Sequence, residues 1–341
     1  LGLADELTMH YGLLPRANRG IFAVNELPDL AGKIQVGLFN ILQEGDVQIK
    51  GFPVRLKLDV MLVFTANPED YTARGKIITP LKDRIGSEIR THYPATREAA
   101  VRITTQEAWT ERPGGLTVHI PNYVRHVVDE IAFQARADRK IDRRSGVSQR
   151  LPISTLELVV SNAEQRALAA GEALVCPRVS DVYAALPSMT GKFELEYEGE
   201  LKGAEAIAKD LVRAAIGTVY REQVPAGNPK SVIEWFEAGG TLPFGDLEAS
   251  DALIAQAAKV PGLRALAEGV AMPAGAPAPI VASALDFVLE GLYAERKIGR
   301  EDDRGYVAGA DPSTARQGRR DEHPPESIER QVPGGKKKYY N

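Results

Sequence analysis

Four side chains of the kinds that phosphoryl transfer uses occur in order along the sequence: Glu26, Asn67, Arg84 and Arg150. Moving a phosphoryl group from a nucleotide needs a carboxylate to orient water and a polar group to hold that water or the γ-phosphate. It also needs cations to offset charge on the transferring oxygens. Each residue taken alone fits a simpler interpretation as a helix cap, a turn residue or a surface ion-pair partner. The prediction of a nucleotide site therefore depends on their order and on the elements that carry them.

Two apolar runs, residues 20–24 and 60–64, are predicted to be strands buried on both faces of a sheet. Asn25 and Glu26 follow the first run, and Asn67 comes shortly after the second. Ligands of open α/β sheets bind beyond the carboxyl ends of the strands. We therefore expect Glu26 and Asn67 to face one shared cleft.

Between these two runs the apolar periodicity changes from that of a helix to that of a strand. Four apolar residues lie on one face of a predicted helix that ends near Gly45: Ile34, Leu38, Ile41 and Leu42. Residues 47–58 then alternate apolar with polar side chains around a turn at 51–53, which predicts a β-hairpin.

The character of the chain changes to helical at about residue 94. Three prolines stand where the first turns of helices tolerate them: Pro121, Pro152 and Pro177. We expect four parts, namely an α/β core over 1–93, a helical domain over 94–190, a further α-helical region over 191–316 and a disordered tail over 317–341. Alternating glutamates within 191–200 fit either a strand or a solvated linker, of which we expect the linker.

Composition excludes several classes of protein. The net charge of −4 and pI near 5.9 argue against a protein that coats nucleic acid. No apolar run approaches the roughly 20 residues of a membrane span, so we expect a cytoplasmic protein. The single cysteine, Cys176, cannot form an internal disulfide framework. The five histidines are scattered, which argues against a zinc site.

The combination of these features resembles AAA+ ATPases. The segment from Arg16 to Leu30, RANRGIFAVNELPDL, is similar to the one through their Walker B motif, and Val60 to Pro68 resembles their sensor 1 strand. Leu81 to Gly86 resembles the arginine-finger motif of magnesium-chelatase ATPase subunits. The hairpin is similar to the pre-sensor insertion of the clade that includes MoxR proteins. The resemblance covers about residues 1–190 and implies a partial P-loop core followed by a helical lid.

This resemblance implies a role for each residue and the use of ATP and Mg²⁺. Glu26 would polarise the attacking water, and Asn67 would orient that water or contact the γ-phosphate. Arg84 would reach into a neighbouring subunit's site as an arginine finger. Arg150 resembles the sensor 2 arginine of the lid, and whether it would serve its own nucleotide or a neighbour's stays open.

Two features depart from the family pattern. Asn25 stands where the family has an aspartate in the shell around Mg²⁺, so a hydrogen-bonding oxygen is kept and a charge is lost. The phosphate-binding motif G-x-x-x-x-G-K-[ST] does not occur in the sequence. Because that loop precedes Walker B in the family, we expect it upstream of Leu1.

The function implied is that of a ring-forming ATPase, expected to be a homo-hexamer, that remodels a partner protein in the manner of magnesium-chelatase subunits or MoxR chaperones. A partner with a von Willebrand factor A domain is expected. One alternative is a nucleotide-binding scaffold without turnover, which Asn25 favours. Another is an enhancer-dependent transcription activator, although residues 1–19 hold nothing like the GAFTGA loop of that class.

Overall fold

The computed structural model describes residues 11–48, 54–67, 76–112, 115–224, 228–245, 247–270, 272, 275–301 and 304–309. The chain divides into two compact units, Leu1–Tyr93 and Pro94–Asn341. This division falls where the sequence changes from mixed α/β to helical patterning. The tail over 317–341, predicted to be disordered, and the turn of the predicted hairpin at 51–53 lie outside the described residues.

The first unit carries helices and strands in the order α1 (Leu13–Arg16), β1 (Gly20–Val24), α2 (Gly32–Glu44), β2 (Asp46–Gln48), β3 (Arg55–Lys57), β4 (Val60–Phe64) and α3 (Thr79–Lys82). Strands β1 and β4 pair in parallel, with Val24 opposite Phe64. Strands β2 and β3 pair antiparallel, as the predicted hairpin requires. The unit therefore has the mixed helix and sheet content of an α/β fold.

Strands β1 and β4 are less buried than the sequence predicted. On one face, Val24 and Phe64 pack against the buried cluster that contains Leu38 of α2. On the other face, Ile21 is 69% exposed and Met61 is 63% exposed. The prediction of burial on both faces was wrong for the described residues, because their sheet has only two strands and α2 covers one side of it.

The second unit is mainly helical. Its elements are α4 (Arg97–Glu107), β5 (Thr117–Val118), α5 (Asn122–Ala137), α6 (Arg150–Ala170), β6 (Leu174–Val175), α7 (Asp181–Ala184), α8 (Tyr197–Lys202), α9 (Ala204–Gln223), α10 (Lys230–Glu237), α11 (Ser250–Ala257), α12 (Leu263–Glu268), α13 (Ala278–Ala294), β7 (Ile298–Glu301) and β8 (Gly305–Ala308). None of the helices in the described part of the chain is long and apolar enough to cross a membrane.

One hydrophobic core contains residues from both sides of the boundary that we expected between residues 190 and 191. The ring of Tyr123 in α5 stacks on that of Phe287 in α13 with the centroids 4.5 Å apart. The Tyr123 hydroxyl donates to Ser283 Oγ at 2.7 Å. The boundary expected between residues 190 and 191 therefore does not separate two cores.

The segment over 191–200 is not the solvated linker that we expected. Phe193 is buried, and Leu195 forms an isolated antiparallel bridge with Ile141. Helix α8 then begins at Tyr197. The apolar residues that alternate with the glutamates decide this outcome, because Phe193 and Leu195 join the core of the second unit.

Candidate functional site

The polar segments that follow β1 and β4 lie side by side at one edge of the first unit. The backbone pairing continues past the strands, since the amide of Thr65 donates to Val24 at 3.0 Å and that of Leu27 donates to Thr65 at 2.8 Å. Because β1 and β4 are parallel and in register, Glu26 and Asn67 leave the sheet at the same edge. The structure thus brings together the two segments that the sequence singled out.

Thr65 links the two segments through its side chain. Its hydroxyl oxygen accepts a hydrogen bond from the backbone amide of Glu26 at 3.1 Å. The same hydroxyl donates to Asn25 Oδ1 at 3.3 Å. Sequence reasoning missed Thr65, although a polar residue directly after an apolar strand was a signal that could have found it.

Glu26 occupies a left-handed backbone conformation, with φ 52° and ψ 56°. Such a conformation is uncommon for a residue with a side chain and costs about 1–3 kcal/mol. The surrounding bonds hold it in place: its amide is bound to Thr65, and its carbonyl accepts from the amide of Asp29 at 2.9 Å. Leu27, the next residue, is buried while Glu26 itself is exposed. The strained turn therefore separates an anchored apolar side chain from a carboxylate that is open to solvent.

Asn67 lies three residues beyond the end of β4 and is exposed. An exposed amide at the sheet edge that also presents Glu26 is a suitable group to bind water or a phosphate oxygen.

Arg84 lies just beyond α3 and is held against α2. Its Nε and Nη2 donate to Gln43 Oε1 at 3.1 and 2.9 Å, and its Nη1 donates to the Pro80 carbonyl at 2.7 Å. The guanidinium carbon lies 4.8 Å from the centroid of the Phe39 ring. Arg84 is half-buried rather than enclosed in a core, so its side chain remains open on one side.

Gln35 ties the segment before Arg84 to α2 and was missed by sequence reasoning. Its side chain is buried, with 1% exposed. The amide nitrogen donates to the carbonyls of Leu30 and Lys76 at 2.9 and 3.2 Å, and the amide oxygen accepts from the amide of Ile78 at 3.0 Å. One buried side chain thus connects the segment that follows Glu26 with the segment that leads to Arg84.

Arg150 lies in the second unit, as the first residue of α6, and is exposed. The residue before it, Gln149, donates to Asp129 Oδ1 at 3.1 Å, and Asp129 also accepts from Thr104 Oγ1 at 2.8 Å. Burial raises the pKa of Asp129 to about 6. This buried network fixes the start of α6 and so the backbone from which Arg150 projects.

The predicted magnesium ligand, Asn25, offers a neutral oxygen that already accepts a hydrogen bond from Thr65. Among the described residues, no three His, Cys, Asp or Glu side chains cluster closely enough to hold a metal ion. Protein sites for Mg²⁺ use one or two carboxylates and leave the remaining positions to water and phosphate oxygens. Asn25 would supply one amide oxygen to such a shell, and the phosphate oxygens of a nucleotide and water would supply the others.

Comparison with known proteins relates residues 4–86 to AAA+ ATPases. Residues 4–86 match the model of the Sigma-54 interaction domain, which is an AAA+ family. The match includes Glu26, Asn67 and Arg84, and it ends before Arg150.

One curated relative is the magnesium-chelatase 38 kDa subunit of Cereibacter sphaeroides, which is 32% identical over 97 residues. That alignment covers 28% of this chain and 28% of the relative. The chain therefore spans well under half the length of the curated relative that it matches.

Proposed function

We propose that this chain functions as an ATP-hydrolysing AAA+ ring subunit of the magnesium-chelatase or MoxR type. One observation carries the proposal, namely the parallel register of β1 and β4, which delivers Glu26 and Asn67 to the same sheet edge. The match of residues 4–86 to an AAA+ family supports it.

In the proposed mechanism, Glu26 polarises the water that attacks the γ-phosphate of ATP. Its carboxylate is exposed, and the hydrogen bond to Thr65 fixes the backbone from which this carboxylate projects. Asn67 orients that water or donates to a γ-phosphate oxygen. Bound Mg²⁺ would offset charge on the phosphate oxygens, with Asn25 in its shell.

Arg84 and Arg150 supply positive charge in this proposal. Arg84 acts on the nucleotide of the adjoining subunit, where a finger of this kind accelerates hydrolysis by roughly 10³-fold or more. A finger that serves another subunit requires assembly, so we propose a homo-oligomeric ring, a hexamer. Arg150 takes the sensor 2 role, on its own or a neighbouring nucleotide.

The task of the ring is proposed to be the remodelling of a partner protein, with a von Willebrand factor A-domain protein as its companion. Residues beyond 200 fall outside the core that the AAA+ resemblance covers, and they pack on the same core as residues 94–190. That addition favours a chelatase-like chaperone over metal insertion into a porphyrin.

A second candidate is an enhancer-dependent transcription activator, which the match to the Sigma-54 interaction domain favours. The hexapeptide GAFTGA that such activators carry does not occur in the sequence. Binding of the full-length protein to a σ54 factor in the presence of an ATP analogue would favour this candidate over the chelatase-like one.

A third candidate is a scaffold that binds nucleotide without turnover, and Asn25 is its support. The experiment measures ATP hydrolysis by the full-length protein and by its Glu26→Gln and Asn25→Asp variants. We expect the parent to hydrolyse ATP, Glu26→Gln to lose that activity and Asn25→Asp to gain some through tighter Mg²⁺ binding. An inactive parent that Asn25→Asp activates would support the scaffold instead.

A further inference from the structure

Gln43 holds the guanidinium of Arg84 by one edge. Arginine has five N–H donors, and three of those in Arg84 bind Gln43 Oε1 and the carbonyl of Pro80. Among the contacts of the described residues, one N–H on each of Nη1 and Nη2 remains. Two N–H groups of one guanidinium can bind a phosphate through two hydrogen bonds.

Helix α2 holds the segment that carries Arg84 at two points, one before α3 and one at the guanidinium of Arg84. Gln35 binds Lys76 and Ile78 before α3, while Gln43 binds the guanidinium beyond it. Eight residues separate the two glutamines, slightly more than two helical turns, so both face the same side of α2. Leu81, between the two attachment points, is fully buried.

The face of the guanidinium is also covered. It lies 4.8 Å from the centroid of the Phe39 ring, one turn before Gln43 on α2. A cation over an aromatic face is attracted to it, and the ring leaves the side chain little room to rotate. Gln43 and Phe39 together therefore select one orientation of a side chain that is otherwise flexible.

We propose that Gln43, supported by Phe39, is a positioning residue for Arg84 and turns its two remaining N–H groups toward the γ-phosphate in the adjoining subunit. This inference rests on the proposed ATPase function. Because Gln43 and Phe39 order the arginine within its own subunit, its side chain does not have to be ordered during the reaction. Misplacement of a catalytic group by about 1 Å can cost on the order of 10²-fold in rate.

The test uses the full-length protein and substitutions at Gln43. Gln43→Met keeps the length of the side chain and removes the acceptor, whereas Gln43→Glu keeps an acceptor at the same place. We expect Gln43→Met to lower kcat about 10-fold with KM within about 2-fold, and Gln43→Glu to retain most of the turnover. Gln106→Met, at an exposed glutamine of α4, is the matched control and should leave kcat unchanged.

A double-mutant comparison separates positioning from a merely structural role. In an Arg84→Ala background, measured under single-turnover conditions and at equal ring content by light scattering, Gln43→Met should cause no further loss. An equal loss in both backgrounds, or a Gln43→Met enzyme with the parental kcat, would overturn the inference. An Arg84→Ala variant as active as the parent would instead overturn the proposed finger, which is a separate outcome.

Discussion

The core of the second unit contains two carboxylates one turn apart on α13, Asp286 and Glu290, and both are fully buried. The carboxylate of Asp286 accepts from the amide of Ser180 at 2.9 Å. Its other oxygen has no hydrogen-bond partner among the described residues. Other charges near it are those of Arg178 and Asp181, and Arg300 pairs with Glu290 at 2.7 Å. These surroundings favour the protonated form of the Asp286 carboxyl group.

Burial, and then the negative charge of Glu290, raise the pKa of Asp286 from 3.8 to about 7. A tenfold change in an acid constant corresponds to about 1.4 kcal/mol, so ionising this group in the folded protein costs roughly 4 kcal/mol. The folded state holds a proton that the unfolded state releases between these two pKa values. This contribution to stability is therefore complete below pH 3.8. It decreases as the pH rises above 3.8 and is lost once the pH exceeds about 7.

Asp286→Asn mimics the protonated form and keeps an acceptor for Ser180. At pH 8 we expect the variant to be more stable than the parent by about 2–4 kcal/mol, and near pH 4 to differ from it by about 1 kcal/mol or less. The assay is denaturant unfolding followed by tryptophan fluorescence. Both tryptophans, Trp109 and Trp235, lie in the second unit, so the signal reports on that unit.

Asp251→Asn, at an exposed carboxylate of α11, is the matched control for removal of one carboxylate and should follow the pH profile of the parent. Burial raises the pKa of Glu290 as well, and this group is present in both proteins. Parallel pH profiles for Asp286→Asn and the parent would refute the reasoning.

Two further predictions concern the first unit. Thr65→Val removes the hydroxyl that binds Asn25 and the amide of Glu26, so kcat for ATP hydrolysis should fall about 10-fold and the free energy of unfolding by about 1 kcal/mol. An ATPase assay measures the first effect and a thermal melt the second. An unchanged kcat would show that the hydroxyl does not position Glu26. Gln35→Met leaves the amide of Ile78 and the carbonyls of Leu30 and Lys76 without their partner and should destabilise this segment by about 2–3 kcal/mol. Hydrogen exchange at the Ile78 amide should become at least about 10-fold faster. Unchanged protection would contradict the conclusion that Gln35 holds this segment against α2.

The sequence predicted the strands that carry the site, because apolar periodicity is a local signal. Gly20–Val24 and Val60–Phe64 are strands in the structure, and Asp46–Gln48 pairs antiparallel with Arg55–Lys57, as the predicted hairpin requires. The order of these elements also placed Glu26 and Asn67 at the ends of neighbouring strands. The finding that both ends lie at one edge required the parallel pairing of β1 and β4.

The groups that orient the site could not be predicted in the same way. Thr65, Gln35 and Gln43 each bind partners about 40 residues away along the chain. Hydrogen bonds of this range depend on tertiary packing and leave no periodic pattern in the sequence. The exposure of Ile21 and Met61 was missed for a related reason, since an apolar run does not reveal how many strands or helices lie beside it.

The central claim is that Glu26 of one subunit and Arg84 of its neighbour complete a single ATPase site. The most direct measurement mixes Glu26→Gln subunits with Arg84→Ala subunits of the full-length protein and follows ATP hydrolysis. Each variant alone should hydrolyse ATP far more slowly than the parent, whereas a random mixture contains intact sites at roughly a quarter of its interfaces and should recover a comparable share of the parental activity. A mixture no more active than its two components would contradict the account.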